Sequence, residues 1–150
     1  PLFLILENLQ DPGNLGTMIR TGEGAGITGV IMNQQTVDIF NPKTIRATMG
    51  SIFRVPFVYV PELSPVLTQM HERGIHTYAA HLKGQKYYDS FSFREPTAFL
   101  IGNEGNGLTK EISDQAGQYL KIPMEGKVES LNASIAAALL MYEAHRQRNL

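Results

Sequence analysis

Polar residues cluster directly after the first apolar run of the chain, where residues 7–14 read Glu-Asn-Leu-Gln-Asp-Pro-Gly-Asn. Asn14 lies where the N-cap of a helix is predicted, and Arg20 follows about two turns later. An amide, a guanidinium and the free N–H groups of a helix start suit a polar ligand. A capped helix with a solvated arginine explains the same residues without any ligand. Spacing alone leaves both interpretations open.

A second loop, residues 101–107, contains three glycines and one carboxylate, Glu104. The glycines permit close backbone approach and positive φ, and a tight turn alone can require that. Glycine-rich turns between a strand and a helix often bind phosphate, but an ionised Glu104 would repel an anion. The loop is therefore better suited to ribose hydroxyls, an adenine edge or a cationic centre.

A third loop, residues 122–132, leads into an alanine-rich helix. Ser130 is its predicted N-cap and Asn132 falls in the first turn, so both side chains can face the same cleft as the second loop. The alanines make the helix slim enough to pack closely against another element, including a second copy of the chain. A capped core helix is the simpler alternative.

Two other patterns indicate no chemistry. Residues 24–29 match G-x-G-x-x-G, but a helix precedes them and a strand follows, which reverses the order that dinucleotide binding needs. These glycines are predicted to end a helix. The four histidines do not cluster and the chain has no cysteine, so we expect no metal site, disulfide or thiol nucleophile.

Short apolar runs alternate with segments of helical period, which is typical of a parallel sheet covered by helices. Most runs are continuously apolar, as in strands buried on both faces. The predicted strands are residues 2–6, 29–33, 56–60, 76–81, 97–102 and 119–123. After the helix near Asn14, the predicted helices are residues 41–50, 64–74, one that opens at 108, and 130–148.

The 150 residues suit one domain, which can bury a core without metal or disulfide links. The formal charge of -1 leaves RNA only a local patch to bind. No apolar run is long enough to cross a bilayer, so we expect a soluble, cytoplasmic protein. Pro1 enters a strand without an initiator Met, and we therefore expect residues 1–150 to be a domain of a longer protein.

Taken in order, the three loops resemble the three motifs of the SpoU/TrmH family of RNA ribose 2′-O-methyltransferases, in the SPOUT class. The order, the separations and the predicted context of the motifs agree, and the similarity covers essentially the whole chain. Each motif alone is weak, but together they are specific. The matching residues are Asn14-Leu15-Gly16 with Arg20-Thr21, Gly102-Asn103-Glu104-Gly105 with Gly107-Leu108, and Ile122-Pro123-Met124 with Ser130-Leu131-Asn132.

The resemblance implies an α/β fold, with a mostly parallel sheet, helices on both faces and a C-terminal deep trefoil knot, a rare exception to unthreaded chains. It also implies S-adenosylmethionine as the cofactor, held in the knot largely by backbone atoms. By position, the cofactor-binding residues are Gly102, Ile122 and Leu131, surrounded by Leu100, Ile101, Asn103, Glu104, Gly105, Met124, Asn132, Ala80 and His81.

Roles for five polar residues follow from the same resemblance. Arg20 corresponds to the base proposed for the family, although an arginine is hard to deprotonate, and orienting a substrate phosphate or stabilising the developing oxyanion suits it equally well. Asn14 would position the ribose or Arg20, and Glu104 would orient cofactor or substrate. Ser130 and Asn132 would complete the pocket.

Partners are implied as well: an rRNA or tRNA substrate, and a homodimer with the active site near its interface. Lys43, Arg46 and Arg54, with Arg20, are predicted to form a basic edge for RNA, for which an ordinary solvated face is the alternative. Many relatives carry a separate N-terminal RNA-binding domain. The rival interpretation is a non-catalytic RNA-binding or assembly module that kept the fold, but such a module has no evident need for all five polar residues.

Overall fold

The computed structural model describes all 150 residues, and its centre is a single six-stranded sheet. The strands are β1 (Leu2–Leu6), β2 (Gly29–Asn33), β3 (Phe57–Val60), β4 (His76–Ala80), β5 (Thr97–Ile101) and β6 (Gln118–Leu120). They lie in the order β3-β2-β1-β5-β4-β6, and every neighbouring pair is parallel. The prediction of a mostly parallel α/β sheet is confirmed, and all six predicted strands are present.

The last strand is shorter than its apolar run suggests. It was predicted to reach Pro123, but β6 pairs with β4 only as far as Leu120. Beyond that point the backbone of Lys121 pairs with the loop after β4 instead, because its N–H donates to the carbonyl of Lys86 and its carbonyl accepts from the N–H of Tyr88.

Five helices cover the sheet: α1 (Pro12–Ala25), α2 (Pro42–Thr48), α3 (Ser64–Glu72), α4 (Lys110–Gln115) and α5 (Ala133–Arg148). Apolar side chains of α1 and α5 belong to one buried cluster, and those of α3 and α4 to a second cluster that includes Ile5 and Leu100. The helices therefore lie on both faces of the sheet, as predicted. The C-terminal knot stays a prediction.

Three helix starts differ from the predicted positions. Asp11, not Asn14, caps α1, because Pro12 at the first helical position presets φ and starts the helix earlier. Asn132, not Ser130, caps α5 by accepting from the N–H groups of Ser134 and Ile135. Thr109 caps α4, so this helix begins two residues after Leu108.

The glycines at 24–29 end α1, as predicted, with Gly26 in the left-handed conformation and β2 starting at Gly29. No helix of the chain has both the length and the apolar composition of a membrane span.

The strand order places two of the predicted loops side by side. From β1 the chain builds outward through β2 and β3, then crosses to β4 and returns to insert β5 between β4 and β1. In parallel sheets, ligands bind beyond the carboxyl ends of the strands where such a reversal leaves a crevice. The first loop leaves β1 and the second leaves β5, so both flank that point.

Candidate functional site

A cleft of about 470 Å³ opens beyond the carboxyl ends of β4, β5 and β6. This volume lies within the range of small-molecule sites in proteins. Its walls combine apolar side chains with the glycine-rich second loop and the third loop. Ten of the residues predicted to bind a cofactor line it: Ala80, His81, Ile101, Gly102, Asn103, Glu104, Gly105, Ile122, Met124 and Leu131.

Two residues from the predicted cofactor set lie elsewhere. Leu100 is fully buried in the sheet core, where it packs with the second apolar cluster, because alternate residues of β5 point to opposite faces. Asn132 lies outside the cleft and lines a shallow neighbouring depression with Asn14, Glu104 and Ser130.

The second loop is a tight turn, and only glycine fits at position 102. A Cβ on Gly102 would lie 2.1 Å from the Leu108 nitrogen and 2.2 Å from the Gly107 carbonyl carbon. The Asn103 side chain fixes the turn by accepting from the N–H groups of Gly105 and Asn106 at 2.9 and 3.0 Å. The backbone is therefore held in one shape at the end of the cleft.

Glu104 joins the second loop to the first. Its carboxylate accepts from the N–H of Gln10 at 3.0 Å, from the N–H of Asp11 at 2.7 Å and from the side-chain amide of Asn14 at 3.3 Å. These partners all belong to the first loop or to the start of α1. Within the chain, Glu104 thus positions the first loop relative to the cleft.

Two further contacts complete the junction of the three loops. The Asn132 amide donates to the Asn14 side-chain oxygen at 3.1 Å, which ties the third loop to the first. Buried Glu7, at the end of β1, accepts from the N–H and the hydroxyl of Thr109 at 2.7 and 2.8 Å, which ties β1 to the start of α4. Four of the five predicted catalytic residues, all but Arg20, therefore gather at one place.

The hydrogen bonds around Glu104 shift its pKa. Burial raises the pKa of Glu104. The hydrogen bonds from the N–H groups of Gln10 and Asp11 and from the amide of Asn14 lower it by more than burial raises it, so the pKa lies below the ordinary value of 4.5. The carboxylate is ionised at neutral pH, and this charged form is the one that the first loop binds.

Arg20 lies apart from these residues within the chain. It is exposed on α1 and lines neither the cleft nor the neighbouring depression. It follows Asn14 by six positions, which is about 9 Å along a helix. The predicted meeting of Arg20 with the cleft does not occur inside one chain.

The predicted basic edge is narrower than the sequence indicates. Arg54 is engaged by Glu23, with its terminal nitrogen 3.0 Å from the carboxylate. Lys43 and Arg46 are exposed on α2 and take part in no ion pair. The Lys43 side chain lies close to the start of α1: a Cβ built on Gly13 would be 3.7 Å from the Lys43 Cε.

Sequence reasoning missed several residues of the cleft wall. Leu82, Tyr87 and Lys121 line it, and Gln10 and Asp11 line the depression beside it. His81 stacks on Tyr119 with ring centroids 4.6 Å apart. One sequence feature could have indicated Leu82 and Tyr87: aromatic and basic residues cluster in residues 82–96. Only the backbone pairing of this segment with the chain after β6 brings it to the cleft.

The side chains of the cleft suit an organic ligand better than a metal ion. No three histidine or carboxylate side chains are grouped closely enough to hold a metal. Apolar residues such as Ile101, Leu120 and Ile122 can cover a planar aromatic group, and the polar end at Glu104 and Ser130 can receive hydroxyl groups.

Comparison with known proteins gives one consistent result. The model of the SpoU rRNA Methylase family matches residues 1–142. The chain is 37% identical over 149 residues to YacO of Bacillus subtilis, a protein assigned by name to the TrmH family of tRNA/rRNA methyltransferases, and covers 60% of it. It is also 37% identical over 139 residues to 23S rRNA (guanosine(2553)-2′-O)-methyltransferase RlmP of the same organism, of which it covers 56%.

Solved structures agree with these relatives. The SpoU methyltransferase AviRb from Streptomyces viridochromogenes, in complex with the cofactor AdoMet, matches with a TM-score of 0.92 and 34% identity over 98% of this chain and 57% of that chain. The chain thus spans about three fifths of the length of the curated relatives that it matches.

Proposed function

We propose that this chain, which belongs to the SpoU rRNA Methylase family, transfers a methyl group from S-adenosylmethionine to a ribose 2′-hydroxyl of rRNA or tRNA. The observation that carries the proposal is the convergence of the three loops at the cleft and the depression beside it, joined by the bonds of Glu104 to Asn14 and of Asn14 to Asn132. The AdoMet-bound AviRb structure and the 2′-O-methyltransferase RlmP support the cofactor and the acceptor.

The residues present fit this cofactor. The cleft has a rigid glycine bend at Gly102, which brings backbone close to a ligand, and apolar walls for an aromatic base. Backbone groups near Gly102, Ile122 and Leu131 would hold it, with ten of the twelve predicted binding residues around the space. When bound, S-adenosylmethionine supplies an electrophilic methyl group on a sulfonium.

The transfer requires little covalent chemistry from the chain. The 2′-oxygen forms a bond to the methyl carbon as the carbon–sulfur bond breaks, and the hydroxyl proton leaves to a base or to solvent. The protein must align these atoms and stabilise negative charge on the 2′-oxygen. We assign the alignment to Asn14, Ser130 and Asn132, which share the depression beside the cleft, and the charge stabilisation to the guanidinium of Arg20.

Arg20 can take this role if a second copy of the chain supplies it. On α5, Ile135, Leu139 and Tyr142 are 52%, 37% and 46% exposed, and with Thr17 of α1 they line a shallow groove of about 520 Å³. Exposed apolar surface of this kind is typical of an interface. Arg20 follows Thr17 by one helical turn, and both side chains are exposed on α1. A homodimer through α5 would bring Arg20 to the partner's cleft.

RNA would approach along the exposed cations beside the first loop. Lys43 and Arg46 are one helical turn apart and can bind consecutive phosphates, whereas Arg54 is occupied by Glu23. We expect the enzyme in the cytoplasm, and we expect residues 1–150 to act within a longer protein. The knot predicted from the family would hold the third loop against β4.

Methyl transfer to RNA is the decisive experiment. The purified chain is incubated with tritiated S-adenosylmethionine and with deproteinised rRNA and tRNA from cells that lack the gene. We expect label in RNA at a linkage that resists alkaline hydrolysis, because a 2′-O-methyl group blocks attack by the 2′-oxygen. Cofactor binding without any transfer would support the rival, a non-catalytic RNA-binding module.

A further inference from the structure

One surface at the rim of the cleft has been assigned no role in the methyl transfer. It consists of Lys83, Lys86, Lys121 and Tyr87, which we call the lysine patch. Two stretches of chain that are far apart in sequence form it together. The N–H of Tyr88 donates to the Lys121 carbonyl at 2.9 Å, and the N–H of Lys121 donates to the Lys86 carbonyl at 3.1 Å. The patch is therefore part of a backbone-paired unit.

Close packing fixes this unit against the sheet. The N–H of His81 donates to the Leu120 carbonyl at 3.0 Å, and a Cβ on Gly84 would lie only 2.9 Å from the Leu120 carbonyl carbon. The loop after β4 thus lies directly on the chain that leaves β6. The backbone positions that carry the lysines of the patch are therefore fixed relative to one another.

The cations of the patch are free of carboxylate partners. The three ion pairs of the chain use Arg54, Lys110 and Arg146, and none uses a lysine of the patch. Residues 82–94 contain three cations and one carboxylate, Asp89. Lys83 and Lys86 are exposed and Lys121 is half-buried, so the patch is a local positive surface on a chain of net charge -1, which suits an anionic partner.

An exposed aromatic ring stands among these cations. Tyr87 is 48% exposed, and the Lys121 ammonium lies 5.4 Å from the centre of its ring. The Lys86 ammonium lies 6.0 Å from the ring centre of Phe91. Lysines that neutralise phosphates and an aromatic face on which a base can stack are the combination that binds single-stranded nucleic acid.

The position of the patch relates it to the cleft. Tyr87 and Lys121 line the cleft itself, whereas Lys83 and Lys86 lie on the surface just outside. The first loop and its cations, Lys43 and Arg46, flank the cleft from the β1 side of the sheet. A strand whose target ribose enters between the loops would therefore meet the lysine patch on its way past β4 and β6.

We propose that the lysine patch binds the RNA strand next to the target nucleotide, with Lys83 and Lys86 on phosphates and Tyr87 stacked on a base. This inference rests on the proposed function and assigns a second RNA-contacting surface to the same site. An acidic protein segment would also satisfy the lysines, but it gives no reason for the exposed ring of Tyr87 beside a nucleotide-sized cleft.

The first test compares charge variants. A fluorescein-labelled single-stranded RNA of mixed sequence is titrated with the unchanged chain and with the double variant Lys83→Ala, Lys86→Ala over a range of KCl concentrations. We expect Kd to rise about tenfold and the slope of log Kd against log salt to fall by about 1.4, because each single-strand phosphate contact contributes about 0.7. S-adenosylmethionine affinity should stay unchanged, since neither lysine lines the cleft.

Arg73→Ala is the matched control. Arg73 is exposed at the end of α3, just before β4 begins. It therefore lies at the amino ends of the strands, whereas the cleft lies at their carboxyl ends. The Arg73→Ala variant should leave RNA affinity and salt slope unchanged.

The Tyr87 variants test stacking. Tyr87→Ala should weaken RNA binding about tenfold and Tyr87→Phe should not, because the phenyl ring keeps the stacking face.

Several outcomes would overturn the inference. Unchanged RNA affinity and salt slope in the double variant, with methyl transfer by the unchanged chain intact, would refute the patch and leave the proposed function standing. Binding of polyglutamate as tightly as RNA would assign the lysines to an acidic protein partner. Absence of methyl transfer by the unchanged chain, with RNA still bound at the patch, would refute the proposed function alone.

Discussion

Glu104 accepts three hydrogen bonds from the first loop, which lies 90 to 94 positions earlier in the chain. In Glu104→Gln the side chain keeps its size but loses its charge, and its NH2 group can face a backbone N–H. We expect methyl transfer to fall by about tenfold or more, since hydrogen bonds to charged groups are the strong ones. Glu125→Gln, an exposed carboxylate of the third loop outside the cleft, is the control and should be near neutral.

The same carboxylate predicts a pH dependence. The pKa of Glu104 in the folded chain lies below its ordinary value of 4.5, so its contribution to stability is complete above that value and is lost as the pH falls through the lower folded pKa. Urea unfolding midpoints measured between neutral pH and acid should therefore drop at the acid end. The drop should be smaller in Glu104→Gln; an equal drop in both chains would show that other carboxyl groups cause it.

Arg20 is assigned a role in the transfer step alone. Arg20→Ala should abolish methyl transfer while calorimetry finds S-adenosylmethionine affinity within a few-fold of the unchanged chain, because the side chain lines no part of the cleft. Arg20→Lys keeps the positive charge and loses the planar fork. Partial activity in Arg20→Lys would favour charge stabilisation. A large loss of cofactor affinity in Arg20→Ala would contradict the assignment.

At the scale of elements, the closest helix contact supports the first loop. A Cβ on Gly16 of α1 would lie 2.4 Å from the Ala47 Cβ and 2.5 Å from the Thr44 carbonyl oxygen of α2. Gly16→Ala must therefore push the helices apart. Overpacking of this kind costs about 1–3 kcal/mol, more than the gain of about 1 kcal/mol from helix propensity. We expect a lower urea midpoint and weaker methyl transfer.

Gly13→Ala is the matched control on the same helix. Its Cβ would meet no backbone atom: it would lie 3.7 Å from the Lys43 Cε, which can move, and 3.1 Å from the capping Oδ1 of Asp11, which needs only a small shift. It gains the same helix propensity without a backbone clash, so its stability should be unchanged or slightly higher. Equal destabilisation by both substitutions would show that the α1–α2 contact is not the cause.

At the scale of the whole molecule, the assignment of Arg20 to the partner's cleft can be tested by complementation. Arg20→Ala and Leu131→Glu, which disrupts the cleft wall, should each be inactive alone. Mixed after unfolding and refolding together, they form dimers in which an intact cleft meets an intact Arg20. Random pairing should restore roughly a quarter of the normal activity. No recovery, with mixed dimers shown to form, would place Arg20 in its own chain's site.

The proposed dimer face on α5 gives a second prediction at this scale. Leu139→Glu puts a charge in the middle of the exposed apolar face of α5, where a partner would have to bury it. We expect monomers by sedimentation and loss of methyl transfer with S-adenosylmethionine binding retained. Glu111→Gln on the exposed side of α4, away from α5, should alter neither property.

The sequence alone determined the fold class, the six strands and the three loops. Continuous apolar runs such as residues 97–101 clearly predict strands, because a strand buried on both faces has no alternation of polar and apolar residues. The motifs were also readable, because a turn that demands Gly102 leaves a local trace. The polar residues before α5 were visible too, but the sequence predicted Ser130 as the cap, whereas Asn132 is the cap. Strand and helix ends were less clear: Pro12 and Asp11 form a start signal that competes with Asn14, and the competition is decided by backbone geometry.

Only the tertiary structure decided which distant residues meet. It paired Glu104 with the first loop, set the chain after β6 against the loop after β4, and separated Arg20 from the cleft of its own chain. The contacts that form depend on strand order and on loop closure over 33 to 93 residues, and neither leaves a local pattern in the chain. Local preference fixes each element, whereas the arrangement of elements is fixed by burial of the whole apolar surface at once.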